Sequence, residues 1–206
     1  MEREMFIQKV TDHLHHTYQC HTIILYGSYQ NGDYTNESDV DLIGFSEVAE
    51  AENRVETFQG KLLDVWIHPT EEMNKPEQFL KVLEGEILLD EKQQAETFLE
   101  KIDAIYQAGP RKLAGKEKQF LKDWLIKMKV RSRKGDMEGR YRFYWLIKES
   151  LEIYFEMNGR WYLGPKKSLN WLAKHDPEGY RKYDKLLEGP GDRRRLDAWI
   201  DHLQKL

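Results

Sequence analysis

Apolar residues in this chain come in short runs whose character changes at Gly109-Pro110. Before that dipeptide, TIILY at 22–26 is continuously apolar and rich in Ile, the pattern of a buried strand; a polar loop with Asn31, Gly32, Asp33 and Asn36 follows, and DVDLIGF at 39–45 reads as a second strand. Residues 52–58 and 61–67 flank Gln59-Gly60 and read as a hairpin with LLDVWI as its inner strand. Helical spacing surrounds these runs. Phe6, Val10, Leu14 and Tyr18 recur every four residues; Pro69-Thr70 opens a helix to about Leu83; a short strand is expected at 86–89; and 91–107 place Phe98, Ile102, Ile105 and Tyr106 on one side of a helix. After Gly109-Pro110 every pattern is helical, most clearly at 137–157, where Tyr144, Ile147, Leu151, Tyr154 and Phe155 make one stripe that Asn158-Gly159 ends. Gly164-Pro165 then precedes a helix over 166–174. The expected class is α+β, with a strand-bearing domain over 1–108 and an all-helical domain over 109–206.

The apolar stretches, about five residues long, fall far short of the roughly 20 that span a bilayer. No segment near the N-terminus has the look of a signal peptide. Cys20 is the single cysteine, so neither a disulfide framework nor a cysteine metal site is expected. A formal charge of −4 argues against a nonspecific nucleic-acid binder. These features together lead us to expect a cytoplasmic protein with neither membrane nor nucleic acid as its partner.

Gly27 and Gly32 follow the first strand at the glycine spacing of a P-loop, G-x-x-x-x-G-K-[ST]. Asp33 and Tyr34 come next, where that loop needs a lysine and a compact hydroxyl. An acid there repels phosphate, and tyrosine is no substitute for the Mg²⁺-binding Ser/Thr, so the P-loop reading fails. Asp39 and Asp41 carry more information. Two positions apart on a strand, they project from one face with Cα atoms roughly 6.6–6.8 Å apart, a placement that lets carboxylates converge on hard cations. Asp64 lies mid-strand in KLLDVWI between apolar neighbours, where a buried carboxylate needs a metal or another strong partner.

Gly27-Ser28, ten intervening residues, Asp39-Val40-Asp41-Leu42 and later Asp64 together resemble the nucleotidyltransferase superfamily typified by DNA polymerase beta, in its small bacterial branch of antibiotic and minimal nucleotidyltransferases. The resemblance covers about residues 20–67. It implies a small mixed sheet flanked by helices, followed by a helical domain that closes on nucleotide and acceptor. It also implies two Mg²⁺ ions held by Asp39, Asp41 and Asp64 as the catalytic and metal-binding acids, with Gly27 and Ser28 facing the β- and γ-phosphates. The substrates so implied are a nucleoside triphosphate, with ATP favoured, and an acceptor hydroxyl. Many relatives carry an arginine just after Gly-Ser, where this chain has Tyr29, Gln30 and Asn31. A basic contact is therefore sought elsewhere, at Lys148 or at Lys166 and Lys167.

Other constellations are read more plainly. His13, His15 and His16 lack a full ligand set and read as surface residues. The basic segments 127–134 and 193–195 read as solvated helix faces, Trp161-Tyr162 as inter-helix core, and Glu149, Glu152 and Glu156 as exposed carboxylates. The acceptor could be an antibiotic-like small molecule, a partner protein's side chain as in antitoxin-type enzymes, or a tRNA end, which the negative charge disfavours. Against all three stands a nucleotide-binding regulatory module that has lost catalysis.

Overall fold

The run TIILY forms β1 (Thr22–Tyr26), buried at all five positions. Burial from both sides is why the run shows no polar alternation. β2 (Val40–Ser46) and β5 (Glu86–Asp90) flank β1, both antiparallel to it. β2 pairs in parallel with β4 (Lys61–Pro69), and β3 (Glu52–Phe58) lies antiparallel along the outer edge of β4. The result is a mixed five-stranded sheet in the order β3-β4-β2-β1-β5, as the resemblance implied.

The computed structural model describes residues 2–35, 37–47, 50–189 and 191–206, and the chain forms two compact units that meet in sequence at Ala108/Gly109. In the first unit, α1 (Glu2–Tyr18) covers one sheet face. Its Ile7, Val10 and Leu14 pack on Leu25, Val40, Leu42, Leu63 and Val65. The other face carries Ile24, Tyr26, Ile43, Phe45 and Trp66 under α3 (Ala95–Ala108) and the segment between β4 and β5.

Four local details depart from the sequence reading. The helix expected from Pro69-Thr70 to about Leu83 is instead two 3-10 segments, Thr70–Asn74 and Pro76–Val82. Pro76 has no N–H to continue the first segment, and Lys75 before it leaves helical geometry at φ −121°, ψ 58°. α3 begins at Ala95 rather than 91, because the Asp90 carboxylate accepts from the N–H groups of Gln94 and Ala95 and sets the first turn there. The polar stretch after β1 contains one helical turn, α2 (Ser28–Asn31); Asn36, also expected in that loop, lies outside the described residues. Finally, β2 starts at Val40, so Asp39 immediately precedes the strand.

The second unit is helical: α4 (Gly115–Ser132), α5 (Met137–Met157), α6 (Gly164–His175), α7 (Pro177–Glu188) and α8 (Arg193–Leu203). Asp136, Asp176 and Asp192 cap α5, α7 and α8 by accepting backbone N–H bonds. Leu125, Leu146, Leu172, Leu186 and Trp199 form the centre of its core. Within the stripe read on α5, Ile147, Leu151, Tyr154 and Phe155 are buried, but Tyr144 is 58% exposed. The helical period turns Phe143 and Leu146 inward in its place. The basic segments tie helices together: Lys129 of α4 and Arg133, which caps its C-terminus, pair with Asp197 of α8, and Arg193 donates to the Arg133 carbonyl. Of the pair Trp161-Tyr162 expected in the inter-helix core, Tyr162 packs against it. No helix among the described residues is long and apolar enough to cross a membrane.

Asp90→Ala removes the acceptor for two N–H groups at the start of α3. The variant is expected to lose about 0.5–2 kcal/mol of stability, the usual worth of such a cap, which urea unfolding measures.

Candidate active site

Sheet register places the acids. Tyr26 on β1 lies opposite Asp41 on β2, and Asp41 lies opposite Asp64 on β4, so the three side chains share one face at one end of the sheet. Asp39, two residues before Asp41, joins them, and one carboxylate oxygen from each of Asp39, Asp41 and Asp64 lies within 4.8 Å of the other two. All three side chains are partly exposed. The buried setting expected for Asp64 is therefore corrected. Its neighbours Leu63 and Val65 are apolar because they point to the α1 face, and the strand's alternation leaves Asp64 on the open side. Its protein partner is Asn53, whose Nδ2 donates to Asp64 Oδ1 at 2.5 Å.

Gly27 makes the close approach possible. Its φ of +77° and ψ of −155° fall in a region that is essentially glycine's own. A Cβ there would sit 2.1 Å from Asp41 Oδ2. The bare backbone thus lets the turn pass against the carboxylate. Ser28 opens α2, and its hydroxyl has no hydrogen-bond partner among the described residues. Tyr29, the next residue, is 3% exposed and packs against Phe6 with ring centroids 6.0 Å apart and the ring planes tilted by 57°. That position anchors the turn in the core.

The cluster is electrostatically uncomfortable. Burial first, and then the charges of Asp39 and Asp64, raise the Asp41 pKa from 3.8 to about 6. Burial and the same three carboxylates push the Tyr26 hydroxyl far above its usual range, so it stays neutral. No described residue forms an ion pair with Asp39, Asp41 or Asp64. Three oxygen donors converging without a counter-ion suit a hard divalent cation such as Mg²⁺, which takes carboxylate ligands and retains waters. Lys81 is the nearby cation that sequence reasoning missed. It stands in the second 3-10 segment, over the Tyr26 and Trp66 rings, and feels Asp64 and Asp41. Desolvation lowers its pKa while those acids oppose the shift. Its signal in the sequence was faint, since it depends on an irregular segment folding back on the sheet.

The remaining candidates do not join the cluster. His13 meets Glu56, His15 binds the Cys20 carbonyl and His16 the Asp12 carbonyl, so the three histidines serve separate local contacts. Burial pushes the Cys20 thiol up to about 12, which keeps it protonated. Lys148 and Lys166 are exposed and Lys167 is partly exposed, on α5 and α6 of the second unit. Glu149 and Glu152 are partly exposed and Glu156 is exposed.

Residues 7–134 match the family model of the nucleotidyltransferase domain. The chain belongs to that family, within the polymerase beta-like superfamily. Nucleotidyl transfer is accordingly its general activity, and the matched span runs from α1 through α4. A nucleotidyltransferase-like protein from Exiguobacterium sibiricum 255-15 is similar over 96% of this chain and 73% of its own, with 12% identity and a TM-score of 0.47. Among curated proteins, none matches the chain.

Two outcomes follow for this nucleotidyltransferase site. Gly27→Ala is expected to lose about 1–3 kcal/mol through backbone strain and, by displacing Asp41, to weaken any divalent-cation binding at the three acids, measured by melting and by calorimetric titration. Asp41 should also govern a pH dependence in chelator. Its folded pKa is raised, so the folded state holds a proton that the unfolded state releases between pH 3.8 and about 6. Stability therefore falls as pH rises through that window and stays lower above it. Asp41→Asn should remove the fall, melting above the unaltered chain at pH 7.5 and level with it near pH 4.

Proposed function

We propose that the protein transfers a nucleoside monophosphate, AMP from ATP, to an acceptor hydroxyl, with two Mg²⁺ ions held by Asp39, Asp41 and Asp64. The observation that carries this reading is the convergence of those three carboxylates within 4.8 Å beside a glycine that the approach of Asp41 requires. Bound there, Mg²⁺ would neutralise charge on the phosphates and on the attacking oxygen, the main demands of phosphoryl transfer. The acceptor oxygen bonds to the α-phosphorus and releases its proton to solvent. The bond from that phosphorus to the α,β-bridging oxygen breaks, and pyrophosphate leaves with the electron pair. Gly27 and Ser28 hold the leaving phosphates through backbone N–H groups and the unpartnered Ser28 hydroxyl. Lys148, exposed on α5, serves as a nucleotide-binding cation, and residues 109–206 act as the acceptor- and nucleotide-closing domain. An antibiotic-like small molecule is the acceptor class we favour, since the helical half exceeds what a minimal protein-modifying form needs.

In a pyrophosphate-release assay with Mg²⁺ and ATP, Asp39→Asn and Asp41→Asn should each lower turnover by roughly a thousandfold, matching several kcal/mol of lost charge stabilisation, while remaining folded. Normal turnover in both variants would reject the assignment; nucleotide binding without any pyrophosphate release by the unaltered chain would favour a regulatory module. Ser28→Ala should lower kcat/KM for ATP by about 1.5–3 kcal/mol, the worth of a hydrogen bond to a charged group, with acceptor preference unchanged. An unaltered kcat/KM would reduce Ser28 to a turn residue.

A further inference from the structure

One ammonium beside the acid cluster has no part in the scheme above. Lys81 Nζ lies 4.6 Å from the centre of the Trp66 ring and 5.5 Å from that of Tyr26. Both rings belong to the sheet face that carries the acids. Tyr26 is the register partner of Asp41, and Trp66 follows Asp64 by two residues on β4. The ammonium is thereby set at the border of the cluster, within the fields of Asp64 and Asp41. Lys81 forms no ion pair or hydrogen bond with any described residue, and the residue keeps an exposed surface although the rings against it desolvate part of the ammonium.

That combination argues against a lysine placed only to neutralise the acids. A flexible four-carbon stem with three N–H donors near unpaired carboxylates gains most by closing to contact. Here two aromatic faces hold the charge back, as cation–π attraction does, and leave its donors unfilled. A divalent cation among the carboxylates would cancel their pull on the ammonium. The phosphate oxygens gathered by that cation would then arrive next to three waiting donors. We infer that Lys81 contacts a phosphate oxygen of the metal-bound nucleoside triphosphate, an assignment that rests on the nucleotidyl-transfer reading. It gives the first unit its own basic contact, at a place where the loop after Gly27-Ser28 supplies none.

The test is calorimetric titration of the full chain and its Lys81→Met and Lys81→Arg variants. Each is titrated with Mn²⁺ alone and with a nonhydrolysable ATP analogue at saturating Mg²⁺. Lys81→Met keeps the stem over the rings and removes the charge. It should bind the analogue about 10- to 100-fold more weakly, the loss of one charge-assisted hydrogen bond, yet bind Mn²⁺ at least as tightly because the acids lose a competing cation. Lys81→Arg should recover most of the analogue affinity. Unchanged analogue affinity in Lys81→Met overturns the inference while leaving the nucleotidyl-transfer reading intact. A parallel loss of Mn²⁺ and analogue binding with a lowered melting temperature also overturns it, in favour of a structural role. Lys81→Gln repeats the comparison should the Met variant prove unstable. Failure of the unaltered chain to bind the analogue overturns both the reading and the inference that rests on it.

Discussion

Repulsion among three carboxylates is the constraint around which the first unit is arranged. Asp39, Asp41 and Asp64 are brought within 4.8 Å by β-sheet register, and register is set far from them by the apolar faces of the strands. A one-residue slip of β4 would turn Asp64 toward α1 and Leu63 toward solvent. Burial of Leu63, Val65 and Ile67 thus fixes the site as firmly as it fixes the fold. The site is accordingly preorganised at some expense in stability, visible in the raised pKa of Asp41. Strain of this kind is what a cation or a charged ligand relieves on binding.

The glycine turn is the second half of the same arrangement. Gly27 is needed both for a backbone conformation that side-chain-bearing residues avoid and for its missing Cβ, since Asp41 Oδ2 fills that space. Tyr29 then locks the turn into the core, its ring tilted against Phe6. Carboxylate cluster and turn are therefore coupled through backbone and packing, so changes on either side are felt on the other.

Much of this was legible in the chain. TIILY, the hairpin around Gln59-Gly60, and the helix over 137–157 declared themselves because each is long or continuous enough for its period to show, and each is bounded by glycine or asparagine. The Asp39–Asp41 spacing and the later Asp64 were equally plain. What escaped was set by contacts between distant segments. The 3-10 character of 70–82 follows from Pro76 interrupting a helical pattern, and the late start of α3 from a carboxylate at the end of β5. Asp64 read as buried because its sequence neighbours are apolar, although alternation assigns them to the other face. Lys81 carried only a faint local signal, since its place over Trp66 and Tyr26 exists only once the irregular segment folds on the sheet. Tyr144 read as core because an aromatic at helical spacing does not disclose which edge of the stripe it occupies.

The central claim is that Asp39, Asp41 and Asp64 form a cation site that serves a nucleotide. Anomalous scattering from crystals grown with Mn²⁺ and a nonhydrolysable ATP analogue tests it most directly, because it locates the ion without depending on turnover or on knowing the acceptor. The account predicts anomalous density bounded by these three carboxylates, with analogue phosphates between the ion and the Gly27-Ser28 turn. Ordered analogue with Mn²⁺ bound only elsewhere, or an acid cluster left without density at saturating Mn²⁺, would contradict it.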